Sequence, residues 1–214
     1  MSRALLVPLT VLHSHVGIQD RRLRDRAARG RLISATARVL AEREGWDAVT
    51  TRRLSTEIEY SQPVIYKHFA SMEDLVEAIA LEGFGELAEA LGEARRHAAP
   101  DEAVGAVARA YGTYATENPA LYDAMFTRAT RLRFGAGDTA APLSTAYAEL
   151  RAAAATIAGE RDVDTLTEVL WAALHGLTTL SRHDRLRPRH GIDRIDLLVA
   201  QFRAAGSRHL SAQP

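Results

Sequence analysis

The 214-residue sequence contains no cysteine. That excludes disulfide scaffolds, thiolate metal sites and cysteine nucleophiles, and it fits a reducing compartment such as the cytoplasm. Sustained alternation of apolar and polar residues is missing too, so little in the chain asks for a β-sheet. No apolar run approaches the ~20 residues needed to span a bilayer. The stretch Ala4–Leu12 after Arg3 has a faint look of a secretory leader, but Pro8 interrupts it and no small-residue cleavage site follows. Residues 1–19 are expected to be a disordered extension. Catalytic groupings are also lacking. No two histidines have H-x-x-x-H spacing, no glycine-rich phosphate loop is present, and Ser, His and Asp fall in no recognised arrangement. Neither an enzyme nor a bound cofactor or metal is expected.

There is no excess charge of one sign overall, with 27 basic against 27 acidic residues. The two ends nevertheless differ. From Asp20 to Ala70 there are 11 Arg or Lys against 7 Asp or Glu, and from Ser71 onward 15 against 20. A basic head on an acidic body favours nucleic-acid contact at one end.

Ala, Leu, Arg and Glu dominate, and apolar residues recur at intervals of three and four, which predicts an all-α chain. The first helix is expected over about 20–44, with Leu32, Thr36, Val39 and Leu40 on one face and Gly45 just past its end. Short helices near 51–58 and 62–69 follow, then a long one from Ser71 to about His97, stopped by Ala99-Pro100-Asp101. Further helices are expected near 101–117, 118–127, 143–159, 163–182 and 192–208, with a glycine-rich loop over 134–142. Residues 20–70 would form one domain and 71–210 another.

The informative window is Val49–Leu75. Thr50 can cap the first short helix and Ser61 the second, while Pro63 sits in a first turn where its missing N–H costs nothing. Leu54 and Ile58 face inward, as do Ile65 and Phe69. Gln62, Pro63, Tyr66 and Lys67 then point outward, flanked by Val64 and His68. Such a face suits a major groove: Gln can pair with adenine through two hydrogen bonds, and Pro and Val can touch a thymine methyl. Lys and Tyr can hold phosphates. An ordinary amphipathic hairpin with a polar outer face would read similarly. Against that stand the exposed Tyr and Pro, and the arginines at 21, 22, 24, 26, 29 and 31 just upstream.

The run Ser61-Gln62-Pro63-Val64-Ile65-Tyr66-Lys67-His68-Phe69, followed by Ser71-Met72-Glu73-Asp74-Leu75, resembles the helix-turn-helix of the TetR (tetracycline-repressor) family over about residues 24–82. The resemblance implies a three-helix N-terminal DNA-binding domain followed by a helical ligand-binding and dimerisation domain. Gln62, Pro63, Val64 and Tyr66 would read bases. Thr51, Lys67 and His68 would contact phosphate, helped by Arg31 or Arg52, with Ser61 at the same edge. Two departures stand out: the family's Ala-Gly turn is Ile58-Glu59 here, and its valine is Tyr60. A glutamate forced to φ > 0 would cost about 1 kcal/mol.

Aromatics make up only 6% of the chain, so their concentration in the C-terminal half is notable. Tyr111, Tyr114, Tyr122, Met125, Phe126, Trp171 and His175 could be ordinary core, or the lining of a pocket. The Trp171…His175-Gly176 pattern resembles a TetR-family C-terminal domain with a Trp…His-Gly signature, which implies a pocket for an unknown small-molecule effector. His175 could serve a ligand or simply a buried tyrosine. On 163–182, Leu166, Leu170, Leu174 and Leu177 form one apolar stripe and Val169, Ala173, Gly176 and Leu180 a second. With Ile195, Leu198, Val199 and Phe202 on the last helix, the second stripe points to a homodimer through the last two helices, matching a palindromic double-stranded DNA operator. The expectation is a ligand-responsive repressor. The rival is an all-helical ligand-binding or scaffold protein without DNA contact.

Overall fold

A computed structural model describes residues 9–129, 131–133 and 139–210. Among these there is no strand. The order is α1 (Leu9–Glu44), a 3₁₀ turn (Trp46–Ala48), α2 (Thr51–Glu57), α3 (Gln62–Tyr66), α4 (Met72–His97), α5 (Ala103–Glu117) and α6 (Pro119–Asp123). A π-helical turn (Ala124–Arg128), α7 (Ala141–Ala155), α8 (Val163–Arg182) and α9 (Gly191–Leu210) complete it. The chain divides into two compact units, Met1–Leu75 and Val76–Pro214.

The first unit is built on α1. Its buried stripe is Ile33, Ala37, Leu40 and Ala41, whereas Leu32 and Val39 are 45% and 55% exposed. The core face is therefore rotated from the one expected, because Leu32 and Val39 continue an apolar periodicity that the neighbouring helices never cover. Helix α1 also opens upstream of Asp20, at Leu9. Residues 1–8 of the expected extension, and 134–138 of the expected loop, lie outside the described residues. At its other end α1 stops at Gly45, whose φ of 84° only glycine adopts without strain. The 3₁₀ turn that follows buries Trp46, an element the periodicity did not announce.

In the second unit α5 is the central helix, packing against α7, α8 and α9. It buries Val104, Val107, Ala108, Tyr111, Tyr114 and Ala115. Close approach of α6 and the π-helical turn to α4 depends on Gly83: a β-carbon there would lie 2.7 Å from Met125 Sδ and 2.9 Å from Leu121 Cδ1. The Gly83 carbonyl also accepts a hydrogen bond from Tyr114 Oη at 2.8 Å. Helix α8 starts with Asp162 accepting from the Thr165 amide at 2.8 Å.

The turn between α2 and α3 carries the strain read from the sequence: Glu59 sits at φ 55°. Because that side chain is exposed, replacing it should relax backbone strain without removing a buried contact. Glu59→Gly is expected to raise unfolding free energy by about 1 kcal/mol, visible as a higher denaturation midpoint at unchanged m-value.

Candidate DNA-reading helix and aromatic cluster

Helices α2 and α3 are seven and five residues long, too short to persist alone in water. Each is held by one buried anchor, Leu54 on α2 and Ile65 on α3. Thr50 caps α2, accepting from the Arg53 amide at 3.2 Å. Ser61 takes the capping position of α3 in extended backbone, but its side chain makes no capping bond, contrary to expectation. Pro63 supplies the pre-set first turn instead. Phe69, expected inside, is half-buried.

With Ile65 turned inward, Ser61, Gln62, Pro63, Tyr66 and Lys67 are exposed, and Val64 and His68 are half-buried at the flanks. Tyr66 is 51% exposed, and its hydroxyl lies 3.2 Å from Thr51 Oγ1. Thr51 in turn donates to Met72 Sδ at 3.5 Å. One threonine thus links the starts of α2 and α4 to the end of α3, bringing Thr51, Tyr66 and Lys67 to one edge. Arg52 and Arg31 are exposed as well, whereas Arg53 is engaged by Glu44 at 3.1 Å and Glu57 at 2.9 Å. Arg26 Nη2 donates to the Lys67 carbonyl at 3.1 Å, satisfying an acceptor at the end of α3. Burial and the nearby Arg26 and Arg29 push His68 below the usual imidazole range, so near neutral pH it is an uncharged donor rather than a cation.

The seven residues singled out in the second unit do come together. Tyr111, Tyr114, Tyr122 and Met125 are buried, while Phe126, Trp171 and His175 are half-buried. Tyr122 and Phe126 lie 4.5 Å apart, and Phe126 is 5.0 Å from the His175 ring. A hydrogen-bonded chain runs through them: Trp171 Nε1–Tyr111 Oη 3.3 Å, Tyr111 Oη–Tyr122 Oη 2.8 Å, Tyr122 Oη–His175 Nδ1 2.7 Å and His175 Nε2–Thr179 Oγ1 3.4 Å.

Indole only donates, so Tyr111 accepts from Trp171 and has its own proton left for Tyr122. Tyr122 then donates to His175 Nδ1, leaving Nε2–H for Thr179. This order uses every group and requires neutral imidazole. Burial first, then the Arg182 charge, lowers His175, and Arg182 lies 5.0 Å over the Tyr122 ring. Burial raises Tyr111 to about 12 and pushes Tyr122 up as well.

Among the described residues the cluster is closed. A cavity of only about 10 Å³ remains beside it, room for at most one water. Sequence reasoning missed the other residues around that cavity, Phe84 and Leu87 from α4 and Leu143, Ala146, Tyr147 and Leu150 from α7. Their spacing of three and four is a signal, but it marks a buried face without saying what the face meets. The second stripe on α8 stays partly uncovered: Val169 is 53% exposed and Leu180 is exposed too. On α9, Ile192 and Leu197 are exposed.

Comparison with known proteins gives two family matches. Residues 32–79 match "Bacterial regulatory proteins, tetR family", and residues 104–204 match "Tetracyclin repressor-like, C-terminal domain". An uncharacterised helix-turn-helix-type transcriptional regulator of Mycobacterium tuberculosis is 35% identical over 147 residues, 65% of this chain. The match spans 63% of that relative, less than two thirds of its length. A protein of unknown function from Rhodococcus sp. RHA1 has a similar structure, with TM-score 0.67 and 23% identity over 82% of this chain and 94% of that one. BioQ, solved with its double-stranded DNA operator, gives TM-score 0.57 and 22% identity over 80% and 96% of the two chains. At these identities the two structures share the fold.

Acidification tests the proton order in the aromatic cluster. The His68 and His175 pKa values lie below that of unfolded histidine, so the stability they contribute is complete above pH ~6.5 and is lost as pH falls through their folded values. The unfolding midpoint should drop between pH 7 and 5, less steeply in His175→Gln. Tyr122→Phe removes the central hydroxyl of the chain and is expected to cost about 1–3 kcal/mol in chemical denaturation.

Proposed function

The chain belongs to the TetR family of bacterial regulatory proteins, and from that premise we propose that it is a ligand-responsive, sequence-specific DNA-binding regulator of transcription, acting in the cytoplasm as a repressor. The observation that carries this reading is the outward polar face of α3, opposite the buried Ile65. Residues 20–70 are the reading head. Gln62 pairs with a base edge, and Pro63 and Val64 touch thymine methyls. Tyr66 meets bases with its ring, while its hydroxyl and that of Thr51, with Lys67, Arg31, Arg52 and Ser61, hold phosphates. His68 adds a neutral N–H donor rather than a charge.

Residues 71–210 bind the effector and a second copy. The α8 stripe of Val169, Ala173, Gly176 and Leu180, exposed at Val169 and Leu180, forms with the apolar side of α9 a two-fold interface that matches a palindromic operator. The effector enters the cluster of Tyr111, Tyr114, Tyr122, Met125, Phe126, Trp171 and His175 by parting rings that now touch. The π-helical turn that carries Met125 and Phe126 is a local irregularity of the sort common at functional sites. Helix α4 carries the chain from one unit into the next, so a shift there changes the spacing of two heads on DNA.

A gel shift against the promoter next to its own gene tests the proposal. Tyr66→Ala with Lys67→Ala is expected to weaken binding at least tenfold, about 1.4 kcal/mol or more. Unchanged binding by that folded variant would overturn the assignment of α3. A compound that raises the melting temperature of wild type, but not of Trp171→Ala, would identify the effector site.

A further inference from the structure

We propose, independently of the DNA-binding reading, that a groove between α5, α8 and the start of α9 is a second ligand site, built for a small aliphatic acid whose carboxylate meets Arg182 and Arg194. The groove lies wholly within the second unit and shares no lining residue with the cavity beside the aromatic cluster. Its volume of about 460 Å³ falls in the range of small-molecule sites, whereas the aromatic cluster leaves about 10 Å³.

The walls suit an aliphatic body. Leu177, Ile192 and Ile195 line the groove, and no aromatic ring is among its described lining residues. Ile192 is 66% exposed, so an apolar chain laid against it would remove that surface from water. Ile195 reaches its place beside α5 because residue 112 is glycine: a β-carbon there would lie 2.9 Å from Ile195 Cδ1. On α8, Leu177, Thr178, Ser181 and Arg182 lie roughly 140° around the helix from the stripe of Val169, Ala173, Gly176 and Leu180. A second copy seated on that stripe therefore does not by itself fill the groove.

Charge selects the head of the ligand. Arg109, Arg182 and Arg194 line the groove with one acid, Glu117. Arg109 is already paired with Asp196 at 2.7 Å. Arg182 donates to the Pro119 carbonyl at 2.5 Å and lies 5.0 Å over the Tyr122 ring, and Arg194 donates to the Arg187 carbonyl. Among the described residues neither of these two meets an acid, and a guanidinium has further N–H donors to offer a carboxylate. Set against Glu117 and Asp196, the three arginines leave a balance of one positive charge, which a single carboxylate neutralises. The sequence has the same bias: Arg182–Arg194 holds five arginines and two aspartates, within a half that is acidic as a whole.

Calorimetric titration of the full chain with sodium octanoate near neutral pH tests the site, with 1-octanol as the uncharged counterpart. Wild type should bind octanoate saturably, and at least about tenfold more tightly than octanol. Arg182→Gln and Arg194→Gln should each weaken octanoate binding about tenfold or more. Because Arg182→Gln also breaks the bond to Pro119, Ile192→Asp gives a second reading. It puts a negative charge at an exposed position, and should abolish octanoate binding at wild-type melting temperature. Arg151→Gln, with the same change in net charge as the arginine variants, should bind octanoate as wild type does, and so should Trp171→Ala, which opens the aromatic cluster instead. Absence of octanoate binding by wild type, or equal binding of octanol, would overturn the proposal. Loss of binding in Trp171→Ala with Ile192→Asp unaffected would also overturn it, and would place the acid in the aromatic cluster.

Discussion

A five-residue helix has no stability of its own, and the face proposed to meet DNA stands on one. Helix α3 exists because Ile65 is buried on one side, because Pro63 pre-sets the first turn and because Arg26 from α1 satisfies the carbonyl at its end. Burying a side chain of that size supplies about 1.5–3 kcal/mol, enough to fix so short an element when its neighbours are already in place. The same inward turn of Ile65 dictates what faces solvent. Gln62, Pro63, Tyr66 and Lys67 have no alternative side to occupy.

The surroundings show what holds that arrangement. Thr51 ties Tyr66 and Met72 to the start of α2, and Thr50 satisfies an amide there. Between the helices the chain accepts a left-handed glutamate, a local cost carried by the two anchors Leu54 and Ile65. In the second unit the organising constraint is different. There a donor-only indole sets the direction of a proton chain through two tyrosines to a neutral histidine, ending on Thr179. Among the described residues no buried side-chain polar atom lacks a hydrogen-bond partner. An effector entering that cluster must therefore supply equivalent hydrogen bonds as well as apolar contact, which ties affinity to chemistry and not to size alone.

Much of this was legible in the sequence, for reasons that differ by element. Helix α8 spans 163–182 as the spacing of its two apolar stripes predicts. The outward set on α3 was legible because two apolar residues four apart fix the orientation of a short helix. Glu59 was legible as strain because it stands where a glycine is usual. The core face of α1 was misread, because Leu32 and Val39 are apolar yet uncovered, and periodicity records chemistry rather than contact. The 3₁₀ turn at Trp46 and the π-helical turn at 124–128 escaped notice, since neither has a period of its own. That the aromatic cluster is closed was not legible at all. Residue type says which groups can line a cavity, but only packing against Leu87 and Leu143 decides whether space is left.

The central claim is that the solvent-facing side of α3 meets duplex DNA. Amide hydrogen exchange on the full chain, with and without its own promoter fragment, tests it most directly. The account predicts slowed exchange over residues 50–53 and 61–69 on adding DNA. Protection confined to other segments, with α3 exchanging as it does in the free protein, would contradict it.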